Sequence, residues 1–115
     1  MMTPSVSIVL PCYNGVGFLA QSLDSVLAQT FMDWELIIVN DCSKDNSLDI
    51  MQEYAAKDKR IRIINNEHNL KLPGALNRGF QEAKGKYLTW KIFHQDSEVE
   101  LFQSATTPLP IEIDL

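Results

Sequence analysis

The sequence predicts an α/β fold with a parallel sheet of about four strands, helices on both faces and the order βαβαβαβ. Three observations predict it. Four short runs rich in β-branched and aromatic residues recur along the first ninety residues. Between them lie three stretches whose apolar residues fall at helical spacing. The connections are short, and alternation of strand and helix with short joins is the signature of parallel strands crossed over by helices.

Ser5-Val6-Ser7-Ile8-Val9-Leu10 reads as the first strand, stopped by Pro11, which has no N–H for a ladder. Cys12 to Gly15 is then a loop. A helix follows over about 17–29, with Leu19, Leu23, Val26 and Leu27 as one apolar stripe. Trp34 to Val39 is a second strand, apolar and without a breaker. The next helix starts at Asp45 or Asn46, both good caps, and reaches about Lys57, with Leu48, Met51, Tyr54 and Ala55 as its stripe. Arg60 to Ile64 is the third strand. Leu72 opens a third helix with Pro73 near its first position, where a missing N–H costs little. Ala75, Leu76, Phe80 and Ala83 form its buried face, and Gly85 ends it. Lys86 to Trp90 is the fourth strand.

At 115 residues, 45% apolar and 22% charged, the chain is sized for one soluble domain with a single core. No apolar run is long enough for a bilayer, and Met1 to Ser5 lack the basic region of a signal peptide. Cys12 and Cys42 make neither a disulfide framework nor a zinc pattern, so reduced thiols in the cytoplasm are expected. The net charge of −5 is uneven. Residues 1–93 hold all ten Lys and Arg against ten Asp and Glu, while 94–115 hold Asp96, Glu98, Glu100, Glu112 and Asp114. The chain therefore divides into a folded part, 1–93, and an acidic irregular tail, 94–115, that is expected to be poorly ordered or weakly docked. A nucleic-acid partner is excluded, because no basic stripe exists.

Three loops fall at strand carboxyl ends: Pro11 to Gly15, Asp41 to Asp45 and Asn65 to Leu72. A parallel sheet gathers such loops at one edge, where ligands bind in open α/β sheets. They offer an aromatic ring at Tyr13, a carboxylate at Asp41, amides at Asn14 and Asn69 and a cation at Lys71. A ring packs on a base, a carboxylate accepts from a base N–H or a ribose hydroxyl, and a cation meets a diphosphate. Each has an ordinary structural explanation too: a ring beside the sheet, a helix cap, a solvated lysine. Gly15-Val16-Gly17-Phe18-Leu19-Ala20 also matches the G-x-G-x-x-A outline of a dinucleotide fingerprint. Its first glycine arrives late, after Pro11, Cys12, Tyr13 and Asn14, whereas the fingerprint wants it in the turn leaving the strand.

Five segments in register resemble family 2 glycosyltransferases of the GT-A fold. Ser7 to Asn14 resembles the family's opening strand, and Ser25 to Thr30 its first helix end. Val39-Asn40-Asp41-Cys42-Ser43-Lys44-Asp45 resembles V-D-D-G-S-x-D, with Cys42 for the usual glycine. Asn69 to Gly79 resembles N-x-G-x-x-x-A-x-N-x-G, with Lys71 where glycine is frequent. Gly85 to Trp90 resembles the strand before the metal motif. The resemblance covers residues 4–90 and implies the nucleotide-binding half of a GT-A domain.

The resemblance implies transfer of a hexose, with inversion, from a nucleotide diphosphate sugar, UDP- or GDP-linked, to an acceptor hydroxyl. By carry-over, Pro11 and Tyr13 line the base pocket, Asn14 joins them, Asp41 holds the base edge and Lys71 sits near the diphosphate. A divalent cation, Mg or Mn, is expected for the family, held by a D-x-D motif. Here Lys91-Ile92-Phe93-His94-Gln95-Asp96 stands where something like Ser-Asp-Asp-Asn would follow the strand, so metal ligands are absent from that place. The acceptor half, with its catalytic base, has no counterpart, so no catalytic residue is assigned. The expectation is a truncated family member whose transfer alone is slow or absent. The alternative is a non-catalytic nucleotide-binding remnant or self-associating fragment. Apolar surface left on strand four and helix three makes a homodimer an expected partner. The expected setting is the cytoplasm or the inner face of the membrane.

Overall fold

The computed structural model describes residues 4–91. The acidic tail, 94–115, expected to be poorly ordered or weakly docked, lies outside the described residues.

Seven elements follow in the expected order: β1 (Val6–Cys12), α1 (Leu19–Leu27), β2 (Trp34–Asn40), α2 (Ser47–Lys57), β3 (Ile61–Asn65), α3 (Lys71–Glu82) and β4 (Tyr87–Trp90). The four strands form one parallel sheet in the order β3-β2-β1-β4. Every residue of β2 is buried, which is why its sequence is a continuous apolar run rather than an alternation.

Side chains alternate between the two faces of each strand. Ile8, Leu10 and Cys12 of β1 and Leu36 and Ile38 of β2 pack with Leu19, Leu23 and Val26 of α1 and Met51 of α2. Val9, Ile37 and Val39 face the other way, onto Ala75, Leu76 and Phe80 of α3, with Leu88 and Trp90 of β4. Helices therefore cover both faces. Each fully buried Leu, Ile or Met contributes about 1.5–3 kcal/mol, and two such clusters hold the layers together. Leu48, Tyr54 and Ala55 of the α2 stripe are only partly buried. Leu27, assigned to the α1 stripe, is exposed, because it follows Val26 and so points about a quarter-turn off the buried face.

Pro11 does not stop β1. The strand runs on to Cys12, with Pro11 opposite Val39 and Cys12 opposite Asn40. The Val9 carbonyl accepts the Lys91 N–H at 3.0 Å, so Val9 and, two residues on, Pro11 direct their backbone groups toward β4. The described β4 ends at Trp90, opposite Val9, so the proline's missing donor falls beyond the strand that would have needed it.

Gly85 does not end α3 as a cap. The helix stops at Glu82, with Ala83 extended, and Gly85 lies against β1. A Cβ there would stand 2.7 Å from the Ser7 nitrogen and 2.9 Å from the Val6 carbonyl carbon. Its N–H donates to Ser7 Oγ at 2.7 Å. Ser7 Oγ donates to Glu35 Oε2 at 2.6 Å, and the Lys84 N–H reaches the same oxygen at 2.7 Å. Arg62 pairs with Glu35 Oε1 at 3.0 Å. A buried carboxylate in β2 thus ties β1, β3 and the start of β4 together at the amino end of the sheet.

Apolar surface was expected to stand open on β4 and α3. Instead Leu88, Trp90, Leu76 and Phe80 are buried, with the Phe80 and Trp90 rings edge to face at 5.7 Å. Among the described residues, the exposed large apolar ones are Tyr13, Val16, Leu27, Phe31, Met32, Leu70 and Tyr87.

Candidate functional site

The carboxyl edge of the sheet is where three loops meet, and Asp41 is their common point. Asp41 directly follows β2 and is 3% exposed. Its N–H donates to the Cys12 carbonyl at 2.9 Å, which ties it to the end of β1. Its Oδ1 accepts from Asn66 Nδ2 at 2.9 Å and from the Leu70 N–H at 2.8 Å. Asn40, just before it, donates from Nδ2 to Asn65 Oδ1 at 2.9 Å, while its carbonyl accepts the Asn66 N–H at 2.9 Å. Asp41 Oδ2 carries no bond among the described residues. A carboxylate fixed by one oxygen can offer the other to an N–H or hydroxyl of a ligand.

The remaining candidates lie at and just after the end of β1 and at the start of α3. Pro11 is half-buried in β1. Tyr13 follows β1 with its ring 47% exposed. Lys71 is exposed at the first position of α3, next to the Leu70 that Asp41 holds, and its own N–H donates to Asn69 Oδ1 at 2.8 Å. Asn14 is exposed, but its side-chain oxygen accepts the Lys44 N–H at 2.7 Å.

The loop after β1 is held chiefly by the loop after β2. The N–H groups of Asn14, Gly15 and Val16 donate in turn to Ser43 Oγ at 2.9 Å, Ser47 Oγ at 2.9 Å and Asp45 Oδ2 at 3.2 Å. The other Asp45 oxygen accepts the Ser47 N–H at 2.9 Å, capping α2 from one residue before the usual position. Neither Asp45 nor Ser47 stands out as a site residue by its type alone. Their alternation with Ser43 was visible, but what they hold lies about thirty residues earlier in the chain. This clasp also bears on the dinucleotide outline, because N–H groups that would have to face a pyrophosphate there are already bonded to side chains.

Electrostatics follow the same pattern. Burial would raise the Asp45 pKa, but hydrogen bonds from Ser47 and Val16 outweigh it and hold the carboxyl below its ordinary value of 3.8. Burial pushes the Cys12 thiol above its ordinary value of 9.0, against hydrogen bonds that lower it. The described non-glycine residues with positive φ are Asn14 (51°), Cys42 (69°) and Lys71 (65°), one in each loop. Two of them stand where the resembled family favours glycine, a residue with no steric objection to this conformation.

Directly after β4 the last described position is a cation rather than a carboxylate. Lys91 occupies it, 1% exposed, and its ammonium donates to Ser25 Oγ of α1. A buried positive charge disfavours a second cation nearby. No group of three His, Cys, Asp or Glu side chains that could hold a metal ion occurs among the described residues.

Comparison with known proteins agrees with this architecture. The family model for glycosyl transferase family 2 matches residues 7–99. An uncharacterized glycosyltransferase of Bacillus subtilis, EpsJ, is 44% identical over 87 residues, covering 76% of this chain and 25% of its own. The structure of S. aureus TarS 1–349 in complex with UDP-GlcNAc superposes with a TM-score of 0.71 at 27% identity, over 76% of this chain and 26% of that one. The mannosyltransferase PcManGT from Pyrobaculum calidifontis, in complex with GDP-Man and Mn2+, gives a TM-score of 0.72 over 80% of this chain and 28% of that one; at 19% identity this shows the fold alone. The chain spans between about an eighth and a third of the length of the curated relatives it matches. Four parallel strands, the Asp41 corner and a family match over most of the residues have one meaning: the chain belongs to glycosyl transferase family 2.

Proposed function

We propose that the chain is the donor-binding part of an inverting hexosyltransferase that takes a nucleotide diphosphate sugar, UDP- or GDP-linked. The observation that carries this reading is Asp41, a buried carboxylate at the edge where ligands of such sheets bind, with one oxygen locked and the other carrying no bond among the described residues. In this reading Asp41 accepts from the base, the exposed Tyr13 ring stacks on it, Pro11 closes the floor of the pocket and Asn14 holds the loop that carries the ring. The Lys71 ammonium meets the diphosphate. Solved relatives titled as complexes with UDP-GlcNAc and UDP support this ligand class.

The transfer itself would be a single displacement, in which an acceptor hydroxyl attacks the anomeric carbon and the bond to the diphosphate breaks. Among the described residues we assign neither a base for the hydroxyl nor a metal site for the leaving group. A second reading, nucleotide binding without turnover, is favoured by one observation, the buried Lys91 where metal ligands would stand.

The proposed setting is cytoplasmic, in keeping with two free thiols, or at the inner face of a membrane. No helix among the described residues is long and apolar enough to cross one. A second copy of the chain remains a proposed partner through exposed apolar residues such as Phe31 and Met32.

The test is a titration of the chain with UDP, GDP and NAD, followed by NMR amide shifts, alongside release of UDP from a UDP-sugar. Saturable shifts with UDP or GDP but not NAD, centred on residues 11–14, 41 and 70–71, support donor binding. Shifts with NAD alone would overturn it. Sugar release then separates the enzyme from the silent binder.

A further inference from the structure

We propose that Asp45 is a positioning residue for the nucleotide base, acting through Tyr13; this rests on the donor-site reading above. Tyr13 and Asp41 lie on different loops, and no hydrogen bond joins the two residues. A base that stacks on one while hydrogen-bonding to the other therefore measures how the loops are set relative to each other.

The backbone bond from the Asp41 N–H to the Cys12 carbonyl, at 2.9 Å, joins the loops at their roots, and beyond it the setting is made by side chains. Three consecutive N–H groups, from Asn14, Gly15 and Val16, are received by Ser43, Ser47 and Asp45. The Asn14 side chain returns a bond to the Lys44 N–H. Within the loop itself, the Gly15 carbonyl receives the Phe18 and Leu19 N–H groups at 3.1 and 2.8 Å, which fixes the start of α1 but not the side from which Tyr13 leaves β1.

Among the clasp side chains, Asp45 alone spends two carboxylate oxygens on two elements, Val16 before α1 and Ser47 at the start of α2. It has no place in the pocket of its own. Its bond to Val16, at 3.2 Å, is the longest of the three, but it is the one that ends on a charge. Removing the carboxylate frees the Val16 N–H, loosens the turn and lets the Tyr13 ring drift from the orientation in which it meets a base held by Asp41.

The experiment is a double-mutant cycle read by binding of two probes, UDP and inorganic pyrophosphate, to the full chain. Asp45→Ala is expected to weaken UDP about tenfold, as misplacement of a binding group does, and to leave pyrophosphate within about twofold, since pyrophosphate has no base to misplace. In a Tyr13→Ala background the same substitution is expected to cost UDP binding less than about twofold, because residues acting as one unit are not additive. Asp45→Asn, which keeps one acceptor oxygen, should fall between wild type and Asp45→Ala and serves if the alanine variant unfolds. A full tenfold loss persisting in the Tyr13→Ala background, or an equal loss for pyrophosphate, would overturn the inference in favour of a purely structural role. No UDP binding by the wild-type chain would remove the donor-site reading, and the inference with it.

Discussion

The carboxylate of Asp41 accepts the backbone N–H of Leu70 at 2.8 Å, joining the end of β2 to the residue before α3. One residue further on stands Lys71. The bond therefore fixes the spacing between an anionic and a cationic group on the same edge. Asp41→Asn keeps an acceptor oxygen for Leu70 and is expected to fold with a near-native urea midpoint, while UDP binding falls at least tenfold. Asp41→Ala leaves Leu70 and Asn66 without their acceptor and should destabilise by about 2 kcal/mol as well. Urea unfolding and UDP titration on both variants separate the two roles.

Lys91 leads to an expectation about metals. A buried ammonium, not a carboxylate pair, follows β4. UDP affinity is expected to agree within about twofold in EDTA and in millimolar Mn2+. A gain of tenfold or more with Mn2+, measured by calorimetry, would contradict this.

Cys42 and Lys71 share a left-handed backbone but differ in what they offer. For an ordinary side chain that conformation costs about 1–2 kcal/mol, against roughly 0.5–1 kcal/mol for the added freedom of glycine in the unfolded chain. Cys42→Gly should therefore stabilise by up to about 1 kcal/mol and leave UDP affinity unchanged. Lys71→Gly should stabilise similarly yet weaken UDP several-fold. If Lys71→Gly binds UDP as wild type does, Lys71 has no part in the donor site.

Gly85 stands where only hydrogen fits. Its would-be Cβ meets backbone atoms of Val6 and Ser7, which cannot swing aside as a side chain can. Gly85→Ala is expected to cost about 3 kcal/mol by overpacking. Gly79→Ala, opposed by the Val9 and Val39 methyls, should cost less. Paired urea melts give the order directly.

Acid should unfold the chain by a nameable route. The Arg60 guanidinium beside Asp58 holds that carboxyl below 3.8, and hydrogen bonds do the same for Asp45. Both are depressed in the folded state, so their contribution is present above about pH 4 and is lost as pH falls through their lowered values. Asp58→Asn should flatten the acid limb of stability against pH, measured by urea midpoints from pH 7 down to pH 3. An unchanged slope would rule Asp58 out as a source.

The elements were legible because the helices show their period and the strands are short apolar or β-branched runs between breakers, and most boundaries shifted by only a residue or two. What sequence could not show was direction. Pro11 looked like a stop because its missing donor is plain; that the donor would have pointed past the end of β4 depends on sheet order. Gly85 looked like a helix cap, yet its neighbour is Ser7 at the far end of the chain. Asp41 could be found because an acid closing an apolar strand is conspicuous. Asp45 and Glu35 could not, since one reads as a cap and the other lies inside an otherwise apolar strand. Their partners are set by tertiary contact, across 29 residues for Val16 and 28 for Ser7.

The bond from Gly85 to Ser7 has a consequence for how the chain assembles. It spans 78 positions, whereas the clasp between the first two loops spans about thirty. During synthesis β1, α1, β2 and the clasp can form while β4 is still unmade, and for that interval β1 has a bare edge. Closing the longer loop adds little free energy, growing only as the logarithm of its length, but it must come late. The half of the proposed base pocket that holds Tyr13 and Asp41 would then be an early product of folding, and the docking of β4 its final step. A chain halted before Gly85 would carry a nearly finished base pocket on a sheet still open along β1.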